Sequence, residues 1–251
     1  MNPALEATIQ QPASVAPRLL PIEEAARRPE IGTAVLPAEW NRRIRRGLNV
    51  VVALLLLVLT APLMLLVALL VKLTSRGPVL YTQTRVGLDR RDPDEVSPNW
   101  RRKVDYGGKL FTIYKFRTMT VAQDPDNQVW ARPDDVRITR LGGVLRKYRL
   151  DELPQLYNVL RGDMNIVGPR PEQPRIFMEL REQIGRYPQR QRVLPGITGW
   201  AQINQSYDRC LDDVCRKVSY DLEYIQRESP IEDVKILVKT IPVVVFKRGA
   251  W

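Results

Sequence analysis

The sequence predicts an α+β protein that is mainly helical, with a reentrant membrane helix–break–helix, a compact domain containing a short β-hairpin, and amphipathic interfacial helices. Three observations support this fold class. Residues 48–71 form an apolar run without a charged side chain. Three later segments repeat apolar residues at helical spacing. Two short runs, 79–83 and 109–115, are rich in β-branched and aromatic residues, which favours strands.

The first 38 residues contain frequent proline and alanine and lack a sustained apolar period. Such a segment cannot bury enough apolar surface to form a core. We therefore predict a disordered tail over 1–38, a basic approach and membrane segment over 39–73, and a single domain over 74–251.

The run 48–71 is long enough to be a membrane segment. As a straight helix it would measure roughly 36 Å, and the hydrocarbon core of a bilayer is about 30 Å thick. Arginine and lysine flank both ends, and both prefer the cytoplasmic side of a membrane. Pro62, which follows Ala61, removes a backbone hydrogen bond near the middle of the run. These features favour two helices, broken at Ala61 and Pro62, that enter and leave on one face; a spanning helix with a proline kink stays open.

The strands at 79–83 and 109–115 are predicted to pair as a hairpin, and the charged stretch 89–109 is predicted to be a surface loop inserted between them. Lys115 and Arg117 would share one face if the second strand continued. These two cations would then form either a phosphate clamp or a solvated edge.

Apolar residues at helical spacing predict helices over 151–160, 173–186 and 207–228. We expect Cys210 and Cys215 to lie in the core beside the third of these helices. The basic, apolar segment 231–247 is compatible with an interfacial helix on an anionic leaflet and equally with a helix packed on the core.

The composition excludes several kinds of catalytic site. The chain has no histidine, so histidine general bases and histidine-ligated metals are absent. Two cysteines cannot form a four-cysteine zinc site. Chemistry must therefore come from carboxylates, hydroxyls, basic side chains or an oxygen-coordinated metal. The formal net charge of +11 favours phosphate-bearing partners.

Residues 146–172 combine carboxylates with arginines. Asp151 and Glu152 are adjacent at the predicted start of a helix, Arg146 and Arg170 lie on either side, and Asp163 follows one helix later. This set suits phosphoryl transfer, in which one carboxylate attacks phosphorus, another holds Mg²⁺ and guanidinium groups neutralise charge. The alternative is structural, with Asp151 as a helix cap and its neighbour as a first-turn acid.

Several motifs together resemble the bacterial sugar transferase family, the small monotopic phosphoglycosyl transferases. They are YTQTRVG (81–87), YKFRTM (114–119), the segment 137–172 with DELPQL and GPRPE, and LPGITGWAQIN (194–204). The resemblance runs from about Arg42 to the end of the chain. It also covers the apolar segment interrupted at Ala61 and Pro62.

The resemblance implies a reaction in two steps. Asp151 attacks the sugar-linked phosphate of a UDP-sugar, UMP leaves, and polyprenyl phosphate then takes the hexose-1-phosphate from the aspartate. Glu152 supports the nucleophile, and Mg²⁺ is held by Asp151 and Glu152. The remaining site residues implied by the family bind phosphates or substrate: Arg146, Arg170, Lys115, Arg117 and Asp163.

The resemblance also implies a setting. The reentrant segment would anchor a cytoplasmic catalytic domain to the bacterial inner membrane, and the product would start exopolysaccharide, capsule or O-antigen assembly. Its partners would be the donor, the lipid acceptor and membrane lipids, without nucleic acid, and a homodimer is compatible. We expect the chain to lack the extra N-terminal membrane helices of larger relatives. Two other functions stay open: a membrane-anchored basic binding or scaffold protein, and an aspartyl-phosphate hydrolase.

Overall fold

The computed structural model describes residues 39–90, 105–120, 135–205 and 210–245. The predicted tail over 1–38 and most of the predicted insertion 89–109 lie outside the described residues. Within those ranges the protein is mainly helical with small sheets, as predicted. The α-helices are α1 (Glu39–Thr74), α2 (Arg140–Lys147), α3 (Gln155–Arg161), α4 (Pro174–Gln183), α5 (Trp200–Asn204), α6 (Leu211–Arg227) and α7 (Pro230–Val245). The strands are β1 (Leu80–Val86), β2 (Leu110–Phe116), β3 (Asn165–Val167) and β4 (Gly196–Thr198), and 3₁₀ turns cover Leu150–Glu152 and Tyr187–Arg192.

The apolar segment is one continuous helix, so the predicted break at Ala61 and Pro62 is wrong at the level of secondary structure. Pro62 lies inside α1. A proline removes one backbone hydrogen bond and bends a helix, but the apolar residues on both sides sustain it here. The hydroxyl of Thr60 donates to the carbonyl of Leu56, 2.6 Å away, and adds a bond to the turn before the proline.

Both ends of α1 pack against the domain, whereas its middle is bare. Ala53, near the first end, is fully buried in the main core. Val67 and Val71, near the second end, form a smaller core with Phe116 and Leu145. Between these contacts Leu56 and Leu57 are half-buried, but most of the leucines are exposed, and Leu59 reaches 76% exposure. The helix is therefore fixed at two separated points and presents apolar surface between them.

A buried polar network fixes the first end of α1. The guanidinium of Arg45 donates to Asp233 across 2.8 Å and to the hydroxyl of Tyr224 across 2.7 Å, and it also pairs with Glu228. The side-chain oxygen of Asn49 accepts from the backbone N–H of Ile166, the middle residue of β3, 2.6 Å away. These contacts bind the first end of α1 to helices α6 and α7 and to strand β3.

The predicted hairpin is confirmed: β1 and β2 pair antiparallel, with Leu80 opposite Phe116 and Val86 opposite Leu110. A second, unpredicted pair joins β3 to β4 in parallel, with Asn165 opposite Gly196. Because the two strands are only three residues each, their sequence carries little alternation that could reveal them.

Helix α3 is attached to the edge of the hairpin through one buried amide. The side chain of Asn158 accepts from the backbone N–H of Tyr114 at 3.2 Å and donates to the carbonyl of Thr112 at 2.7 Å. It therefore satisfies a donor and an acceptor of β2. This attachment sets the distance between β2 and the turn that precedes α3.

Helix α7 combines the two structures that its sequence left open. Ile236 is fully buried in the core, whereas Ile231, Val234, Val238 and Ile241 are exposed. On α6 the prediction of core cysteines is wrong, because Cys210 and Cys215 are both exposed. The apolar face of α6 is instead supplied by residues such as Val214, Val218 and Leu222.

Candidate active site

The two adjacent carboxylates lie in a 3₁₀ turn between α2 and α3. Asp151 and Glu152 are both buried in this turn, and α3 begins only at Gln155. The prediction that they start the helix is therefore wrong by one turn. Asp151 does not cap the helix, because the N-cap residue is Pro154 and no side chain makes a capping hydrogen bond there. The structural alternative for Asp151 is therefore also wrong.

Arg149 creates the sharp entry into this turn. Its backbone is left-handed, with φ of 54° and ψ of 22°. Among the residues that the structure describes, it is the one non-glycine residue with positive φ. Such a conformation costs on the order of 1–3 kcal/mol and is found mainly at functional sites. The turn brings the Glu152 carboxylate against Lys115 of the hairpin strand β2.

Glu152 is held by cations from three parts of the chain. Its Oε1 lies 2.6 Å from Nη2 of Arg170 and 2.9 Å from Nζ of Lys115. Nη1 of Arg149 is 3.8 Å from Oε2. Burial opposes ionisation of Glu152, but these charges outweigh it and hold the pKa of the carboxyl well below its usual value. Glu152 therefore stays ionised and serves as a fixed link.

Asp151 is in the opposite state. Within the described part of the chain, its carboxylate makes no hydrogen bond and no ion pair within 4 Å, although the residue is 8% exposed. Burial, followed by the charge of Glu152, raises the pKa of Asp151 above its usual value, even though nearby cations oppose the shift. An open carboxylate with reduced solvation is a suitable nucleophile.

Arg146 lies beside the dyad through a contact between α2 and the residue after the hairpin. Its Nε donates to the hydroxyl of Thr118, 2.9 Å away. Gly142 makes this approach possible, because a Cβ there would collide with the carbonyl oxygen of Thr118. The positive charge of Arg146 is among those that oppose the raised pKa of Asp151. The prediction that Arg146 faces the phosphate chemistry is compatible with this position.

Arg170 is supported from behind by a buried ion pair. Arg190 donates through Nη2 to the carbonyl of Arg170 at 2.9 Å and through Nε to Asp221 at 2.6 Å. Close by, Arg85 donates to the carbonyl of Pro171 at 3.1 Å. The segment GPRPE is therefore held by groups from β1, the second 3₁₀ turn and α6, and it presents Arg170 to the dyad.

Arg117 and Asp163, two predicted substrate-binding residues, have other neighbours in the structure. Nη2 of Arg117 donates to the carbonyl and the hydroxyl of Ser75, each 2.8 Å away, just beyond the end of α1. Asp163 pairs with Arg161 at 3.2 Å and lies 3.9 Å from Lys109. The structure therefore brings Lys115, Arg146 and Arg170 to the carboxylates, and it gives Arg117 and Asp163 contacts at the edges.

Four further residues support this site. Arg149, which precedes the dyad closely in the sequence, contacts Glu152. Thr118 holds Arg146, and Arg190 and Arg85 hold the GPRPE segment. These last three lie far from the dyad along the chain, and a single sequence carries no signal of the contacts that they make.

Helix α1 is the part of the molecule that is suited to contact with a membrane. Within the described ranges, one helix, over Asn41–Thr74, is long and apolar enough to cross a membrane, and only 11% of its most apolar window is buried. A core helix of a soluble protein would be mostly buried. The exposure of this helix is therefore expected for contact with lipid.

The geometry can now be compared with known proteins. A family model described as Bacterial sugar transferase matches residues 40–247. The chain belongs to the bacterial sugar transferase family. The matched range covers nearly all of α1, together with the hairpin, the dyad turn and the GPRPE segment.

The relatives of this sugar transferase are named as undecaprenyl-phosphate sugar phosphotransferases. This chain is 40% identical over 217 residues to a UDP-N-acetylgalactosamine-undecaprenyl-phosphate N-acetylgalactosaminephosphotransferase of Aeromonas hydrophila, and the match covers 86% of this chain and 47% of that protein. It is 42% identical over 220 residues to an undecaprenyl-phosphate glucose phosphotransferase of Komagataeibacter xylinus, covering 85% and 38%. It is 39% identical over 209 residues to a UDP-glucose:undecaprenyl-phosphate glucose-1-phosphate transferase of Caulobacter vibrioides, covering 82% and 72%. The chain thus spans less than half the length of the first two.

The carboxylates at this site fit a magnesium site in which the substrate phosphates supply some of the ligands. In the part of the chain that the structure describes, no group of three or more Asp, Glu or Cys side chains could hold a metal ion. Mg²⁺ commonly binds one or two carboxylates together with substrate phosphates. Since cations surround Glu152, Asp151 is the open ligand of the predicted pair. The residues therefore fit a Mg²⁺ ion held by Asp151 and the phosphates of a donor, with Glu152 adjacent.

Proposed function

We propose that this sugar transferase moves a hexose-1-phosphate from a UDP-sugar to polyprenyl phosphate, with undecaprenyl phosphate as the acceptor, and releases UMP. One observation carries the proposal: two adjacent buried carboxylates are in opposite states, with Glu152 bound by cations and Asp151 open. The names of the relatives supply the classes of donor and acceptor.

In the first step, a carboxylate oxygen of Asp151 attacks the phosphorus that carries the sugar. The bond from this phosphorus to the bridging oxygen breaks, and UMP leaves with the electron pair. The product is a sugar-phosphoryl aspartate. Lys115, Arg146 and Arg170 supply positive charge close to the attacking carboxylate, which lowers the cost of bringing it to an anionic phosphate.

In the second step, a phosphate oxygen of the lipid attacks the same phosphorus. The acyl phosphate bond breaks and restores the Asp151 carboxylate, so the enzyme returns to its starting state and the lipid carries a diphosphate-linked sugar. One carboxylate can serve two anionic substrates in turn because the covalent intermediate separates their visits. Asp151 and the phosphates of the donor would hold Mg²⁺, which would supply positive charge to neutralise the leaving UMP.

We further propose that α1 enters and leaves the membrane on one face. Both ends of α1 contact the same domain, through Arg45 and Asn49 at one end and Val67 and Val71 at the other. A helix that crossed the bilayer would carry one of these ends to the opposite side, away from its partners. The bend that Pro62 favours, at the exposed middle of the helix, allows a return.

This topology places the dyad at the membrane surface, where a lipid phosphate is found. Because the flanks of α1 carry arginine and lysine, we assign the domain to the cytoplasmic side of the bacterial inner membrane. The product would start the assembly of a lipid-linked glycan for exopolysaccharide, capsule or O-antigen.

The function is tested by measuring UMP release from a panel of UDP-sugars, with and without undecaprenyl phosphate. We expect one UMP per enzyme without the lipid and continuous release with it. Continuous release of UMP and free sugar phosphate without lipid would instead indicate an aspartyl-phosphate hydrolase. Absence of UMP release from every donor, combined with salt-sensitive nucleic-acid binding, would indicate a basic binding protein.

A further inference from the structure

An apolar groove runs from the membrane helix to the dyad. It has a volume of about 190 Å³ and lies between α1, α5 and α7. Its walls are mainly aliphatic, and they include Leu56, Leu153, Ile203 and Leu237. An aliphatic cavity of about 150 Å³ accommodates a six-carbon ring. The groove is therefore large enough for a branched five-carbon unit.

The lining of this groove comes from two different parts of the protein. Glu152 and Arg149 belong to the dyad turn. Leu56 belongs to the apolar helix α1, and Val243 and Val244 belong to the last turn of α7. A molecule in the groove would therefore be in contact both with the catalytic turn and with the exposed apolar helix.

We propose that this groove binds the first isoprene units of the polyprenyl acceptor, and that Arg149 binds the acceptor phosphate at its inner end. This inference rests on the proposed function and names the acceptor site within it. It commits to the acceptor because one groove combines aliphatic walls, with Leu56 of α1 among them, and the guanidinium of Arg149 in the dyad turn. A hydrocarbon chain with a terminal phosphate needs both.

The other molecules at hand fit the groove less well. A UDP-sugar is polar along its whole length, so mainly aliphatic walls, with a few polar groups such as Thr198 and Gln202, would strip more of its water than they could replace with hydrogen bonds. A membrane phospholipid has two acyl chains joined at a bulky headgroup, whereas a volume of about 190 Å³ holds only a short length of one chain. A single prenyl chain matches both this volume and the lining.

Arg149 is placed to act on a phosphate. Its side chain is 29% exposed, and its guanidinium is 3.8 Å from Glu152, longer than the 2.6 Å contact of Arg170 with the same carboxylate. Its left-handed backbone fixes where the side chain leaves the turn. Arginine binds phosphate oxygens through paired N–H donors, so a phosphate at the end of the groove would meet a matching partner.

The test measures the two steps of the reaction separately. It compares two variants that carry tryptophan at neighbouring positions. Leu237→Trp fills the groove, whereas Val238→Trp places the same ring on the neighbouring position, which is 60% exposed. The first step is measured as the UMP burst from the UDP-sugar without lipid. The second is measured as the dependence of sugar transfer on undecaprenyl phosphate concentration.

We expect Leu237→Trp to keep the UMP burst and to raise the KM for undecaprenyl phosphate at least about ten-fold, the discrimination that one methylene commonly brings in an apolar pocket. Val238→Trp should match the wild type in both steps. An unchanged acceptor KM in Leu237→Trp, or an equal increase in both variants, would overturn the groove assignment. A wild type without any burst would instead refute the proposed covalent function.

A photoaffinity probe gives an answer even if Leu237→Trp does not fold. Farnesyl phosphate carrying a diazirine should label wild-type peptides that contain Leu56, Ile203 or Leu237, and undecaprenyl phosphate should suppress this labelling. Labelling confined to other peptides, or suppression by phosphatidylglycerol as strong as by undecaprenyl phosphate, would overturn the proposal and indicate general lipid contact.

The phosphate contact is tested with Arg149→Gly and Arg149→Lys. Glycine adopts the left-handed backbone without strain, so the first variant removes the guanidinium and keeps the turn. We expect it to raise the acceptor KM more than the donor KM, and we expect lysine to restore part of the loss. Equal effects on donor and acceptor, without rescue by lysine, would remove Arg149 from the acceptor site.

Discussion

Arg170 donates to Glu152 across 2.6 Å and so joins the GPRPE segment to the dyad turn. The same carboxylate oxygen accepts from Lys115 of β2, 2.9 Å away. One glutamate therefore ties three parts of the chain together, while the aspartate before it stays open. This division assigns Glu152 to positioning and leaves Asp151 available for chemistry.

The first prediction concerns the coupling between Arg170 and Glu152. Replacing either residue leaves the other charge without its closest counterion. Arg170→Gln and Glu152→Gln should therefore each lower the free energy of unfolding. The double variant should lose less than the sum, with a coupling of about 0.5–3 kcal/mol. Chemical denaturation in detergent micelles measures all three.

A matched control for this cycle is the exposed pair Arg175 and Glu179 on α4, 3.1 Å apart. Its coupling should fall below about 0.5 kcal/mol, as is usual for solvated helix pairs. Arg170→Gln should also weaken the use of the nucleotide sugar. Additive single losses in the dyad pair, together with unchanged donor kinetics, would contradict the positioning assigned to Glu152.

The second prediction separates a structural arginine from a substrate-binding one. Arg117→Ala removes two 2.8 Å bonds to Ser75, so it should lower the free energy of unfolding by about 1.5–3 kcal/mol. Ser75→Ala removes only one acceptor and should cost less. The donor KM of the folded Arg117→Ala enzyme should equal that of the wild type. A raised donor KM with unchanged stability would return Arg117 to the phosphate site.

The third prediction concerns acid stability and Glu172. Burial opposes ionisation of Glu172, but Lys217, Arg85 and Arg190 outweigh it and lower the pKa of the carboxyl below its usual 4.5. The unfolded state then binds more protons between the two pKa values, so stability rises with pH there. The contribution of Glu172 is present above pH 4.5 and is lost as the pH falls toward the lower, folded pKa.

Glu172→Gln should therefore reduce the steepness with which the free energy of unfolding falls during acidification. Glu179→Gln, at an exposed position, should leave the curve unchanged. Denaturation curves collected at closely spaced pH values below neutrality make this measurement. Identical acid limbs for the wild type and Glu172→Gln would refute the assignment.

The fourth prediction concerns topology. Arg43 and Arg76 lie on either side of the apolar run 48–71 and are exposed, so cysteines at both positions should react from the same side of a sealed vesicle. The native Cys210 and Cys215 are exposed and must first be replaced by serine. An impermeant maleimide applied to inverted and right-side-out vesicles measures the side. Reaction of the two positions from opposite sides would establish a spanning helix.

The sequence predicted the parts of the fold whose signals are local. The long apolar run, the hairpin and the amphipathic helices each carry their own periodicity, and the structure contains all of them. The break at Pro62 was wrong because losing one backbone hydrogen bond does not end a helix whose neighbours are strongly apolar. The β3–β4 pair was missed because strands of three residues are too short to show alternation.

The site was predictable where chemistry is concentrated in one segment. Asp151, Glu152, Arg146 and Arg170 stand close together along the chain, and their residue types already suggest phosphoryl transfer. The binding of Arg117 to Ser75 depends instead on where α1 ends relative to the hairpin. That is a tertiary contact, and neither spacing nor composition encodes it.

The fifth prediction concerns the nucleophile. Asp151→Asn preserves the shape of a side chain that has no hydrogen bond within the described structure, so folding and membrane binding should be retained. Transfer should fall by a factor on the order of 10⁴ or more, as when a nucleophile is removed from other enzymes. Activity assays with each UDP-sugar, alongside membrane flotation, measure both properties. Near-normal turnover in a correctly inserted variant would exclude Asp151 as the nucleophile.

The most direct measurement is mass spectrometry of the enzyme quenched with its UDP-sugar in the absence of lipid. The account predicts a mass increase equal to one hexose phosphate on the peptide that contains Asp151. It also predicts that undecaprenyl phosphate removes the adduct and that Asp151→Asn never forms it. An enzyme that turns over donor and lipid while this peptide stays unmodified would contradict the covalent route.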